Sequence, residues 1–245
     1  MNAPTLRLRI TLTTGLVLFV TAVAIVVAVR PASAALPVVP PTQEVAALLR
    51  SHQAFAKPDL HSRVVETVSV RRPITNAQTV LPVIAHATDA ADIPWLRVRL
   101  AGRPNGLTGW IRQRATVTSL TSWHVGVDIS SRQVIVYRYG RVVRMFTAIV
   151  GKPATPTPRG NYFVEEAVDL PAGAAGAPFA LALSARSYVL QEFAGGPGQV
   201  AIHGLANVGG VLGTAVSHGC IRVDTAAIRW LVARIGPGTP VTVTS

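Results

Sequence analysis

The segment Ser217-His218-Gly219-Cys220-Ile221-Arg222 holds the only cysteine of a 245-residue chain. A lone thiol has no partner for an internal disulfide, and beside an imidazole it reads first as a nucleophile. Attack on an acyl carbonyl needs a base, donors for the oxyanion and an exposed tight turn. His203 and His218 are the available bases. Gly219 lets the backbone bend sharply, so that the amides of Gly219 and Cys220 can aim at one spot. If residues 217–222 are extended, His218, Cys220 and Arg222 share one face. Arg222 then offers a fixed cation and a planar fork suited to a substrate carboxylate. His203 ends the apolar stretch Gln199-Val-Ala-Ile202, and Gly204 opens a glycine-rich segment able to form or cover the site.

Other roles compete for the same residues. A lone cysteine is commonly a small buried hydrophobe, and a lone histidine is more often structural than catalytic. Ser217 could simply hold the turn, and Arg222 could pair with Asp224. His203, His218 and Cys220 could ligate zinc, but a closed structural site wants a fourth ligand. Only Asp224 lies near, and the spacing matches no compact zinc signature. One thiol, two near histidines and glycine turns together favour the nucleophile.

The start of the chain points to export. Arg7 and Arg9 precede an uncharged apolar run over residues 10–29, long enough to span a bilayer. Ala32-Ser33-Ala34-Ala35 then offers a signal-peptidase pattern. Residues 1–35 are therefore expected to be a signal peptide or membrane anchor, with the remainder extracytoplasmic. The formal charge of +12 is almost entirely arginine, since lysine occurs only at Lys57 and Lys152. No zinc finger, basic zipper or aromatic RNA-binding signature accompanies it, which argues against nucleic acid. Anionic wall polymers or lipid headgroups are the expected partners of that charge.

The elements that must carry the site read as mainly β. Residues 36–62 open on Pro37-Val-Val-Pro40-Pro41 and are expected to form a stalk. A short helix capped by Thr42 is expected over residues 44–49. Residues 63–118 show five short strands, among them Gln78–Ile84, where Pro82 suggests an edge, and Trp95–Leu100, where apolar residues alternate with Arg97 and Arg99. Asn105-Gly106 marks a hairpin turn. The pattern predicts a small barrel. Residues 119–245 form the larger unit: a hairpin over residues 134–150, loops over 151–160 and 171–178, and strands near 161–164, 179–183, 200–202 and 241–243. A helix is expected over residues 225–235, capped by Asp224 and stopped by Gly236-Pro237.

Two resemblances sharpen this reading. Trp95-Leu-Arg-Val, Gly102-Arg-Pro-Asn-Gly106 and Gly109-Trp110-Ile111 resemble bacterial SH3-like modules. Ile202-His203-Gly204 followed by Ser217-His218-Gly219-Cys220-Ile221-Arg222 resembles the catalytic signature of L,D-transpeptidases of the YkuD type. Residues 151–160, 179–184 and Gly238-Thr-Pro-Val241 extend that likeness across residues 122–245. It implies a β-sandwich-like catalytic domain acting on peptidoglycan stem peptides without a metal or organic cofactor. It implies Cys220 as nucleophile, His203 as proton carrier, and Ser217, His218 and Gly219 as shapers of the site and its oxyanion donors, with Gly204 and Arg222 toward substrate. It further implies 3→3 cross-linking with release of D-alanine, and acylation by carbapenems. The chain departs from the pattern at Leu205, where many relatives carry threonine, and at Arg222, where some carry asparagine. An L,D-carboxypeptidase hydrolysing the same bond and a non-catalytic wall-binding protein are the alternatives.

Overall fold

Short β-branched runs punctuated by glycine and proline turns build two large sheets and a two-stranded one in a computed structural model that describes residues 37–192 and 196–245. The expected signal or anchor segment, residues 1–35, lies outside the described residues. The first sheet contains β1 (Gln43–Leu48), β2 (His52–Phe55), β3 (Val64–Val68), β4 (Val80–Thr88), β5 (Pro94–Arg99), β6 (Thr108–Arg112) and β7 (Thr116–Thr121), in the order β3-β2-β6-β5-β4-β1-β7. Its core holds Leu48, Leu81, Leu96, Val98 and Ile111. In β5 the alternation read from sequence is realised: Leu96 and Val98 are buried and Arg97 is exposed.

Three expectations for this half are corrected. Residues 44–49 form no helix: β1 lies between β4 and β7, with Ala46 paired to both Leu81 and Thr118. An Ala- and Leu-rich run has helical propensity, but here two flanking strands supply its backbone partners and bury Val45, Ala46 and Leu48. Residues 36–62 are accordingly no stalk, since β1 and β2 belong to the sheet. The five strands expected over 63–118 are β3 to β7, the last running on to Thr121, and β1 and β2 add to them. Pro82 is not on an edge strand either. β4 pairs with β1 through residues 80–82 and with β5 from Val83 onward, with a register shift between Val83 and Ala85. A proline that cannot donate is tolerated where the strand changes partner.

The second sheet carries the site. It contains β8 (Trp123–Asp128), β9 (Gln133–Arg138) and β10 (Arg141–Thr147), the short β11 (Val150–Gly151), then β12 (Gly160–Asp169), β13 (Phe179–Arg186) and β14 (Gln199–His203). After these come β15 (Ala215–Ser217), β16 (Ile221–Arg222), α1 (Thr225–Val232) and β17 (Pro240–Thr244). Eight of them align as β10-β9-β8-β17-β12-β13-β14-β16, while β11 pairs with β15 alone. Asp224 caps α1 as expected, accepting from the Ala227 amide at 2.7 Å. Ile228, Leu231 and Ile235 join the strand residues Val125, Leu181, Ile202 and Ile221 in one core.

Residues 37–245 form one compact unit, and the seam between the two sheets is built from charge as well as apolar packing. Phe163 of β12 sits in the core of the first sheet. Beside it, buried Glu165 accepts from Arg72 at 2.7 Å, from Arg186 at 2.9 Å and from the Gln199 amide at 2.9 Å. Glu166 accepts from the amide and hydroxyl of Thr75.

Candidate active site

His203 and Cys220 lie at the ends of neighbouring strands. β14 and β16 run parallel, with Ile202 opposite Ile221 and His203 opposite Arg222. One step back along both strands, Ala201 falls beside Cys220, and the Ala201 backbone hydrogen-bonds the sulfur. Side chains at alternate positions share a face, so Cys220 lies diagonally from His203 on one side of the strand pair. Both residues are half-buried. Cys220 and the exposed His218 line a narrow cleft with Ser187, Leu190, Gly198, Gln199 and Val200.

The histidine is fixed by backbone. The His203 Nδ1 lies 2.8 Å from the Gly204 carbonyl oxygen. A carbonyl can only accept, so Nδ1 carries the proton and Nε2 is left as the basic nitrogen. Gly204 in turn donates to the Gly176 carbonyl at 2.8 Å, and Gly176 donates to Ala206 at 2.7 Å. Gly176 has φ +86° and its α-carbon packs on the imidazole, so that any side chain there would collide with the ring. Gly204 thus contributes its carbonyl to the histidine and its amide to Gly176.

The turn that carries the thiol is equally constrained. The segment is not extended throughout: β15 ends at Ser217 and Gly219 takes φ +115°, a region that favours glycine. Ser217 is fully buried; its hydroxyl donates to the Cys220 carbonyl at 2.6 Å and accepts from the Gly219 amide at 3.1 Å. That amide is thus occupied inside the turn and is not one of two oxyanion donors, as the sequence suggested. Gly219 shapes the site through its backbone conformation instead.

Two residues that sequence reading passed over clamp this turn from the proline-rich loop at residues 151–160. The Thr157 hydroxyl donates to the Gly219 carbonyl at 2.9 Å and accepts from the Gly151 amide at 2.9 Å. The Thr155 hydroxyl donates to the Ser217 carbonyl at 3.2 Å, which also receives the Lys152 amide. Both threonines are buried. Their only sequence signal was a loop too rich in proline and threonine to be regular structure.

Burial decides the protonation of the pair. It pushes the Cys220 thiol up, while the Ala201 backbone bond and then the charge of Arg222 pull it down. It pushes His203 down, opposed by the Gly204 carbonyl and reinforced by Arg222. Burial thus favours the uncharged forms, the thiol of Cys220 and the neutral imidazole of His203. Arg222 donates to the Gly209 carbonyl at 3.2 Å, which ties the glycine-rich segment down beside His203. It does not pair with Asp224, whose carboxylate caps α1.

Residues 122–243 match the family model of the YkuD L,D-transpeptidase catalytic domain. The YkuD protein of Bacillus licheniformis is 31% identical over 122 residues, half of this chain and 66% of that one. That of Bacillus subtilis is 31% identical over 121 residues, 49% of this chain and 65% of its own. The chain thus spans just under two thirds of the length of these curated relatives. Among solved structures, an L,D-transpeptidase from Mycobacterium smegmatis aligns over 72% of this chain and 95% of its own, with 20% identity and a TM-score of 0.40. L,D-transpeptidase 3 from Mycobacterium tuberculosis aligns over 69% and 92%, with 17% identity and a TM-score of 0.43. The family model and both curated relatives thus fall on the segment that holds the thiol and its imidazole, and residues 122–243 are similar to a YkuD-type L,D-transpeptidase catalytic domain.

Proposed function

We propose that the protein is an extracytoplasmic peptidoglycan L,D-transpeptidase that forms 3→3 cross-links through a thioester on Cys220. The observation that carries this reading is the parallel register of β14 and β16, which sets the sole thiol diagonally from an imidazole whose tautomer is fixed. His203 Nε2 takes the thiol proton as the sulfur attacks the carbonyl before the terminal D-alanine of a tetrapeptide stem. The C–S bond forms, the Cys220 amide supports the oxyanion, and the imidazolium protonates the departing amine as the C–N bond breaks. An amine of a neighbouring stem then attacks the thioester. His203 accepts its proton and returns it to the sulfur as the C–S bond breaks. The exposed His218 and the loop held by Arg222 border the place where the stems lie.

The first sheet is read as an SH3-like accessory module, and residues 10–29 as the membrane segment of an exported chain. Anionic wall polymers or lipid headgroups are the proposed partners of the arginine-rich surface. Hydrolysis in place of transfer is the second reading, since half-burial of the thioester leaves room for water. Intact-mass measurement after carbapenem exposure tests the acyl-transfer site. Wild type is expected to gain one adduct, absent from Cys220→Ala; an unmodified wild type overturns it. Incubation with purified stem peptides then separates dimers from merely shortened stems.

A further inference from the structure

The cleft beside Cys220 is walled by residues whose positions are set from outside the catalytic domain. The turn between β5 and β6 in the first sheet lies along the end of β13. The Gly102 amide approaches the Ser184 carbonyl at 3.4 Å. The Asn105 side chain donates to the Arg186 carbonyl at 2.7 Å and accepts from the Arg186 amide at 2.8 Å. That pair of bonds is what a neighbouring strand would make, so a side-chain amide stands in for backbone at this edge. With the turn so anchored, Arg103 reaches across. Its guanidinium donates to the carbonyls of Ser187, Leu190 and Pro197, each at 2.9 Å.

Those carbonyls belong to the cleft wall. Ser187, Leu190 and Gly198 line the cleft that Cys220 and His218 close from the other side. The approach of Arg103 depends on Gly198, which has φ +64°; a β-carbon there would come within 3.0 Å of the guanidinium and would collide with the Leu190 carbonyl. The wall has local bonds of its own: the Ser187 hydroxyl accepts from the Leu190 amide at 3.0 Å, and the Ser187 amide donates to Gly198 at 2.8 Å. Arg103 adds a second tie between the two stretches, joining the carbonyls of Ser187 and Leu190, after β13, to that of Pro197, before β14. A planar fork with fixed donors suits this task better than a flexible ammonium.

We propose that Arg103 is a positioning residue for the acyl-donor cleft, so that the first sheet completes the catalytic domain's substrate wall. The proposal rests on the transpeptidase reading for the identity of the donor, but not for the geometry of the wall. Through Asn105 and Arg103 the first sheet sets the width of the cleft, while the thiol and imidazole are held by β14, β16 and the threonine clamp.

The test uses the full chain as wild type, Arg103→Ala, Arg103→Lys and Arg97→Ala. The last is a control, since among the described residues the Arg97 guanidinium bonds Thr108 of its own sheet. Cys220 is alkylated with iodoacetamide and, separately, with a bulky N-aryl maleimide, and kcat and KM are measured with a tetrapeptide stem donor. In Arg103→Ala the iodoacetamide rate is expected to match the control. The maleimide-to-iodoacetamide ratio is expected to change, and KM for the stem to rise, on the order of tenfold with a smaller change in kcat. Arg103→Lys, which keeps the charge and reaches fewer carbonyls, falls between. A reagent ratio and KM in both Arg103 variants equal to those of Arg97→Ala overturn the proposal. If wild type converts no stem peptide, the transpeptidase reading fails, and the reagent ratio alone still decides the role of Arg103.

Discussion

At the scale of single residues, burial and one nearby cation bias the charge of the two candidate partners. Burial raises the Cys220 thiol and lowers His203, and the Arg222 charge favours thiolate over thiol and imidazole over imidazolium. A His203 held below its ordinary value stays a base below pH 6.5, so carbapenem acylation of Cys220 is expected to persist there before falling. Arg222→Gln removes the cation that disfavours imidazolium. His203 then moves up, and the acid limb of acylation shifts to higher pH; a limb that stays in place shows that Arg222 acts only through the Gly209 carbonyl. The threonine clamp makes a separate claim. Thr157→Val keeps the shape of the side chain but leaves the Gly151 amide and the Gly219 carbonyl without that partner. It is expected to cost about 1–3 kcal/mol in denaturant unfolding and to slow acylation. Unchanged acylation with lowered stability would confine Thr157 to the fold.

At the scale of elements, what could be read in advance was whatever local pattern alone decides. Asp224 before an apolar stripe marked the start of α1, which ends at Val232 rather than at the expected residue 235, and alternation marked β5. Cys220, His203 and Ser217 stood out as candidates because rare residue types stood beside glycines. The misread parts are those where distant strands choose. β1 carries an Ala–Leu run whose fate depends on β4 and β7, and Pro82 sits where β4 exchanges partners. Thr155 and Thr157 meet the thiol turn only because β11 pairs with β15, a contact that no spacing announces. His124 in β8 is another such case. Its Nε2 lies 2.9 Å from the Thr242 hydroxyl of β17, its ring meets Tyr137 edge-on, and burial with the nearby charge of Arg99 lowers it to about 4. The unfolded chain takes up a proton here below about pH 6.5 while the folded chain does not, so stability falls as pH drops from there toward 4. The loss is on the order of 3 kcal/mol. Unfolding measured at pH 7 and pH 4.5 should show His124→Gln losing less across that interval than wild type; equal losses would place the acid sensitivity elsewhere.

At the scale of the whole molecule, the central question is whether the two sheets stand or fall together. Glu165 of β12 is 3% exposed and faces two arginines, Arg72 from the first sheet and Arg186 from the second. Arg72 also lies over the Phe163 ring at 5.7 Å, and burial holds its guanidinium below the ordinary arginine range against the attraction of Glu165. Removing one partner from such a cluster leaves uncompensated charge out of water, a larger cost than the cluster's net contribution when intact. Glu165→Gln is therefore expected to destabilise the chain by about 3–5 kcal/mol. The exposed pair of Glu44 and His86, also at 2.7 Å, supplies the contrast, and Glu44→Gln should cost less than about 1 kcal/mol. Because Glu165 binds a residue of each sheet, its loss should lower one cooperative transition for both. Near-ultraviolet signals from Trp95 in the first sheet and from Trp123 and Trp230 in the second would then move together. A Glu165→Gln protein in which the Trp95 signal melts early while the second sheet keeps the wild-type midpoint would show the halves to be separable. The cleft wall that Arg103 holds would then be a docked contact rather than part of one folded unit.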